Sequence, residues 1–599
     1  MIDQEFQNAR TIRALKHLSQ SADMASDANC SKAYAHVVAI PYPAQGHLSP
    51  MLQICRRLSA YGFSFTFVNT ANVHWRMAQQ QKGCRNSSVQ SKTANEIEVH
   101  SSPTVLGSSN GYRDDFCQQD FASDNRCGVP AERTHACLDD LDSPIGFVDA
   151  KSDAIHMVYV DGGCPPEGHA RKSTMMEVVT AAQDIRCEVE QLLPSIIKKQ
   201  PVAFLLTDMM FGWSNSVAKK FDLPWVCFWP GSAASGAVIQ YCVDLMKQGK
   251  EYIPIAVTEN GEVPVVDVFP GLPPTRLHDI PGVCDSKGKL QKPILTVMAD
   301  VQEASFLLLN TFMELETQAL DALSVRCAVF AIGPLLPPIF LNENTPTHVA
   351  GTTANHDERI AHMPSLFREE RTCLNWLDKQ RPSTVLFISF GSISEREERQ
   401  LQELANGVSA SGCPFLWVRR SQDAIGTFVQ EEEKGIVVSW APQLEVLAHP
   451  AVGGFLTHCG WNSVVESLTM GVPMLCWADT GERLCNQRYV VEVWKCGLDM
   501  VSDGRRSAQH IDDQRQHHEQ LISRHEIETS IRKLMGLQPH HAQEGAERRV
   551  RAARLRASAR SAFHGSSLSA FRQFAETTSS RLFPDRRGNE GTARSQVFI

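Results

Sequence analysis

The chain of 599 residues lacks any uninterrupted apolar stretch of the ~20 residues that a membrane-spanning helix needs, so no membrane span is expected. Its opening stretch, MIDQEFQNARTIRALKHLSQ, lacks the apolar core of a secretory signal. Eighteen cysteines are present, but they lack the fixed spacing of a disulfide framework. The expectation is a cytoplasmic protein with reduced thiols. An excess of positive charge is missing too. With 58 basic and 67 acidic residues the net charge is −9, which argues against nucleic acid as the main partner. The one basic run, Arg548, Arg549, Arg551, Arg554, Arg556 and Arg560, is interspersed with Ala and reads as the solvated face of a helix. A His-rich patch (His517, His518, His525, His540, His541) has no Cys partners and reads as a surface segment rather than a metal site.

What is there is ordinary globular composition, 43% hydrophobic and 21% charged, in a chain too long for one core. Residues 1–33 are polar and aperiodic, an extension expected to be disordered. Order begins with the apolar run His36–Tyr42, a turn at Pro43–Gly46, a helix with apolar positions Met51, Leu52, Ile54, Cys55 and Leu58, and the strand Phe63–Val68. This is a β-α-β unit, the opening of a doubly wound sheet. Residues 82–150 are Ser-, Asn-, Asp- and Cys-rich and read as an irregular insertion. Strand-like runs follow at Ile155–Val160, Val202–Thr207, Trp225–Trp229 and Ser305–Asn310. The first domain is therefore assigned to 34–335, and a Pro-rich then polar linker to 336–368. The β-α pattern restarts at Thr384–Phe390, and a second domain is assigned to 369–560. Residues 561–582 form a last helix, and 583–599 a disordered tail. Two α/β domains in tandem place the working site in the cleft between them.

The segment Trp440–Arg483 carries most of the chemistry. Gly453–Thr457 is strand-like and delivers His458-Cys-Gly460 at its end, and Trp461-Asn462-Ser463 then opens a helix that stops at Gly471-Val-Pro473. Free N–H groups and the positive end of the helix dipole suit an anion there. Asn462, Ser463 and His458 offer donors, Trp440 offers an aromatic face, and Glu466 lies one turn in, where a carboxylate accepts from ribose hydroxyls. Ser463-x-x-Glu466 also matches a capping box, which needs no ligand.

In the first domain His47 sits where strand, Gly46 turn and helix meet, with Pro50 in the first turn. The helix terminus disfavours the imidazolium, so His47 is expected to be largely neutral at pH 7 and available as a base. Asp208 follows the strand ending at Thr207, at the edge where such sheets keep their sites. A carboxylate on the far ring nitrogen would fix the tautomer and stabilise the imidazolium.

At this point the chain resembles a known family. Trp440–Arg483 is similar to the plant secondary-product glycosyltransferase box of the family-1 UDP-glycosyltransferases. Pro41–His47, Leu206–Asp208, Asn310–Glu316, Gly333-Pro334, Ser389–Ser392 and His564–Ser567 fall in the family's order, so the likeness covers about 34–80 and 155–582. The resemblance implies a GT-B fold, two Rossmann-like doubly wound domains facing across a cleft, with the last helix returning to the first domain. It implies that Trp440 stacks on the uracil and that Gln443 and Glu466 hold the ribose. Ser392, His458, Asn462 and Ser463 would hold the diphosphate, Trp461, Glu482 and Arg483 would contact the sugar, and Ala441 and Gly460 would belong to the same UDP-sugar site. His47, oriented by Asp208, would deprotonate an acceptor hydroxyl that attacks the anomeric carbon with inversion. The partners implied are a UDP-sugar and a small, largely apolar hydroxylated acceptor such as a phenolic or terpenoid, and a monomer is expected.

No metal or other cofactor is implied, because the helix terminus and His458 neutralise the leaving diphosphate. The acidic pair Asp140-Leu-Asp142 lies in the insertion, away from a strand end. The box departs from the family at its close, Cys476-Trp-Ala-Asp-Thr-Gly-Glu482-Arg483, where Arg483 replaces the usual amide. A guanidinium suits a carboxylate-bearing sugar such as glucuronic acid. The favoured expectation is that Arg483 turns to Glu482 or to solvent and that glucose remains the donor. The rival function is a non-catalytic nucleotide-sugar-binding protein on the same fold.

Overall fold

The structure, a computed structural model, describes residues 35–70, 73, 155–160, 183, 185–254, 265–269, 271–284, 288–342, 365–392, 396–419, 434–479, 481–500 and 521–582. The expected extension 1–33, the insertion 82–150 with Asp140 and Asp142, His517, His518 and the tail 583–599 lie outside these residues.

Short runs of apolar and β-branched residues set the strands. In chain order they are β1 (Ala35–Ile40), β2 (Phe63–Thr70), β3 (Ile155–Val160), β4 (Val202–Asp208) and β5 (Trp225–Trp229). An antiparallel ribbon of β6 (Val265–Val266) and β7 (Thr275–Arg276) follows, then β8 (Phe306–Leu309) and β9 (Val329–Ala331). Apart from the ribbon these strands form one parallel sheet, in the order β3-β2-β1-β4-β5-β8-β9. Both its faces are covered, which is why the strands are apolar at consecutive positions rather than alternating. Val38 and Ile40 of β1 enter one core, while Ala35, Val37 and Ala39 enter the other.

The second sheet contains β10 (Val385–Ser389), β11 (Phe415–Val418), β12 (Gly435–Val438), β13 (Val452–Thr457), β14 (Met474–Cys476) and β15 (Gly497–Asp499). It is also parallel, in the order β12-β11-β10-β13-β14-β15. Strand order reverses between β1 and β4 in one sheet and between β10 and β13 in the other. A crevice opens at the carboxyl ends of such strand pairs.

Two helices at the end of the chain tie the halves together. The helix Ala542–His564 lays Ala552, Ala559 and Ala562 into the second core. The expectation of a solvated arginine face needs correction here. Arg554 is exposed, but Arg548 is buried with Nη2 on the Lys533 carbonyl at 2.6 Å, and Arg549, Arg551, Arg556 and Arg560 are half-buried. Small alanines let the helix approach its neighbour, and the long arginine stems then lie along protein surface. His525 and His540 are exposed, as a surface segment requires.

The final helix, Ser566–Leu582, crosses back to the first sheet. Its Phe574 packs among Phe204, Phe306 and Phe330, with ring centroids at 5.8, 5.7 and 5.5 Å. Arg57, near the end of the helix Gln45–Ser59, gathers both crossings between the domains. It donates to the carbonyls of Ile332, Pro334 and Leu336 and stacks 4.7 Å over the ring of Phe563.

Candidate active site

The carboxyl ends of the two sheets face each other across a cavity of about 440 Å3. Its lining includes His47, Ser392, Trp440, Ala441, Gln443, His458, Gly460, Trp461, Asn462, Ser463, Glu466, Glu482 and Arg483. Of the candidate residues only Asp208 lies behind the wall, fully buried at the end of β4.

His47 is the third residue of the helix that follows β1, and its ring is about one-quarter exposed. Nδ1 meets Asp208 Oδ2 at 2.7 Å, and Asp208 Oδ1 accepts from the Met210 amide at 3.0 Å. Nε2 is the ring nitrogen that Asp208 leaves available. The expectation that the helix terminus lowers the His47 pKa is corrected in direction. Burial lowers the pKa, but the Asp208 carboxylate, through charge and hydrogen bond, and the Glu482 carboxylate outweigh it, so the pKa is raised. The paired carboxylate decides the sign, not the helix dipole.

On the opposite wall β13 ends at Thr457 and the helix Trp461–Met470 begins, with Gly460 as its N-cap. Cys459 in the turn has φ +63°, a left-handed conformation uncommon outside glycine. Ser463 is therefore the third helical residue, not the cap, and no side chain caps this helix. The capping-box alternative falls with that observation. The Gln443 amide donates instead to Ser463 Oγ at 3.0 Å and to Glu466 Oε2 at 2.6 Å. Burial pushes the Glu466 carboxyl up to about 7, against the pull of Gln443. A carboxylate so short of donors suits a ligand that brings hydroxyls.

His458 is buried beside Gly391 and Gly460, and a Cβ on either glycine would lie within 2.6 Å of its ring. Burial, then Arg483 and Arg396, push its pKa down to about 3 despite Asp479. Burial thus favours the neutral imidazole, which offers an anion a hydrogen bond. Its Nδ1 and the indole Nε1 of Trp229 are buried without a hydrogen-bond partner.

Trp440 is half-buried, with Phe367 against one face at 4.4 Å between ring centroids and 35° between planes. The Glu370 amide donates to the Trp440 carbonyl at 2.8 Å, which fixes the backbone beneath the indole. Glu369 beside it escaped notice in the sequence; it lines the cavity, and burial pushes its carboxyl up to about 7.

At the far end Glu482 opens the helix Glu482–Arg488, and burial raises its pKa although His47 and Arg483 oppose this. Arg483 turns neither to Glu482 nor away. Its Nη1 bonds Asp479 Oδ1 at 2.6 Å, four residues back and ahead of the helix, with both side chains less than one-fifth exposed. Asn462 is also engaged elsewhere: its Nδ2 donates to the Gly46 carbonyl at 2.6 Å and its Oδ1 accepts from Asn310 at 3.1 Å. The lining that the first half of the chain contributes is largely apolar, with Tyr42, Met209, Ile239, Val283 and Met298. No sequence pattern marked those residues, because they come from separate segments. Among the described residues no three His, Cys, Asp or Glu side chains gather as metal ligands would.

A family model described as UDP-glucoronosyl and UDP-glucosyl transferase matches residues 370–503, and one described as Glycosyltransferase, N-terminal domain matches 34–111. UDP-glycosyltransferase 85A8 of Stevia rebaudiana is 30% identical over 533 residues, 86% of this chain and 91% of the relative. The 7-deoxyloganetin glucosyltransferase of Catharanthus roseus is 30% identical over 79% of this chain and 85% of its own. Among solved structures, that of Phytolacca americana UGT2 complexed with UDP-2fluoro-glucose and pterostilbene superposes with a TM-score of 0.59 at 22% identity. That likeness covers 91% of this chain and all of the other, and it shows the GT-B fold.

Proposed function

The chain belongs to the UDP-glycosyltransferase family and is a glycosyltransferase, and on that premise we propose that it transfers a hexose from a UDP-sugar to a hydroxyl of a small, largely apolar acceptor, with inversion. The observation that carries this reading is the His47–Asp208 pair, 2.7 Å apart, across the cavity from the N-terminal turn of the helix Trp461–Met470. In the proposed reaction His47 Nε2 takes the proton of the acceptor hydroxyl, and Asp208 stabilises the imidazolium that forms. The acceptor oxygen bonds to the anomeric carbon as the bond to UDP breaks, and UDP leaves with the electron pair. An α-linked donor thus gives a β-glycoside.

The charge that collects on the diphosphate meets the helix N-terminus, with Ser392, Ser463 and His458 as donors. Trp440 presents its free face to uracil. Gln443 and Glu466 take the ribose, and Glu482 accepts from the sugar hydroxyls. The apolar lining from the half of the chain that carries His47 supports an acceptor that is itself largely apolar. Glucose is the proposed sugar. The Asp479 carboxylate already balances Arg483, so a sugar carboxylate has no unpaired cation to meet there.

Purified protein incubated with UDP-glucose, UDP-galactose and UDP-glucuronic acid, each with phenolic and terpenoid alcohols, tests the reading. Transfer from UDP-glucose with a β-linked product is expected. Preference for UDP-glucuronic acid would overturn the donor assignment, and tight UDP binding without transfer to any acceptor would overturn the acceptor class.

A further inference from the structure

Pro50 lies inside the helix Gln45–Ser59, and its ring nitrogen carries no hydrogen. The carbonyl of Gly46, four residues earlier, therefore has no helical donor. It belongs to the residue next to His47, and it accepts instead from Asn462 Nδ2 in the other domain, at 2.6 Å. The other end of that amide is held as well, since Asn462 Oδ1 accepts from Asn310 Nδ2 at 3.1 Å. Asn310 is itself fixed: the Leu335 amide donates to its Oδ1 at 2.9 Å, and Trp461 Nε1 donates to its carbonyl at 2.8 Å. Gly333 packs so close that a Cβ there would stand 2.8 Å from Asn310 Oδ1.

A planar amide with a partner at each end has one orientation. We propose that the Asn462 side chain is a positioning group, which braces the first turn of the donor helix against the turn that carries His47. The brace sets the spacing between the base and the anomeric carbon. It rests on the reading above, in which His47 is the base and the helix Trp461–Met470 receives the diphosphate. Asn462 is half-buried at the cleft, whereas Asn310 does not line the cavity. A loss shared by both residues thus separates bracing from direct contact with the donor.

The test compares the parent with Asn462→Ala and Asn310→Ala, using calorimetry with UDP and steady-state transfer from UDP-glucose to a phenolic alcohol. Both variants are expected to bind UDP within about threefold of the parent, while kcat falls by roughly tenfold to a hundredfold, the usual penalty of a misplaced reacting group. Retained UDP affinity also reports that each variant is folded. An unchanged kcat in Asn462→Ala, or a loss carried wholly by weaker UDP binding, would overturn the brace alone. A parent that fails to bind UDP would overturn the donor-site reading and the brace with it.

Discussion

Asp208 has no exposed surface, and both its oxygens are engaged, one by the His47 ring and one by the Met210 amide. Asp208→Asn keeps the shape but removes the charge that supports an imidazolium, so kcat/KM should fall by roughly 10²–10⁴-fold. His47→Ala should abolish transfer and leave UDP affinity within a few-fold if His47 acts, as proposed, on the acceptor hydroxyl. The base must be neutral to act, and its pKa is raised. The rate should therefore climb as pH rises through that pKa, and the inflexion should move to lower pH in Asp208→Asn. A profile with the same inflexion in both proteins would remove His47 from the base role.

Glu466 yields a second measurement. Its carboxyl titrates near 7 in the free protein, and hydroxyl donors from a ribose would hold it ionised. Binding then expels a proton below pH 7, so UDP affinity should weaken by roughly fivefold or more between pH 7.5 and pH 6. Calorimetry in buffers of different ionisation heat would detect the released proton. The types of residue in this site were legible in the sequence, because Asp208 ends an apolar run and His47 follows the Gly turn after one. Their 2.7 Å contact across 161 residues was not, since no local pattern encodes a distance. The engagement of Asn462 was equally hidden, its partner being a backbone carbonyl whose only trace is the proline four residues later.

At the scale of elements, the strand–turn–helix units were readable because each buried strand is a dense apolar run followed by Gly or a polar turn. The three-residue strands β9, β14 and β15 carry too few residues to show a period, and only their neighbours in the sheet define them. The close of the box is set by one backbone conformation. Gly481 precedes the helix Glu482–Arg488 with φ +67° and ψ −142°, a region essentially reserved for glycine. Gly481→Ala should destabilise the fold by about 1–3 kcal/mol. The strained turn should also shift Glu482, so the variant should lose affinity for UDP-glucose more than for UDP. Equal losses for the two ligands would mean that the turn does not govern the sugar end.

For the whole molecule, the second sheet and the first are joined by the segment after β9 and by the returning helix Ser566–Leu582. Burial of Phe574 among three other phenylalanines anchors that return, and Phe574→Ala should cost roughly 3–5 kcal/mol, read as an earlier denaturant midpoint. Two tandem β-α patterns announced two doubly wound halves. The packing of the Ala542–His564 arginines did not show, because Arg alternating with Ala has the same appearance on a solvated face and in a helix–helix seam.

Arg57 and His47 stand at opposite ends of one helix, ten residues and so roughly 15 Å apart. Arg57 grips both places where the chain passes between the halves. The helix is thus a lever whose fulcrum is a guanidinium and whose tip is the proposed general base. A tilt of roughly 5° at the fulcrum displaces the tip by about 1.3 Å over that length, more than a hydrogen bond tolerates. Substitutions around Arg57, far from any substrate, should therefore register in turnover before they register in binding.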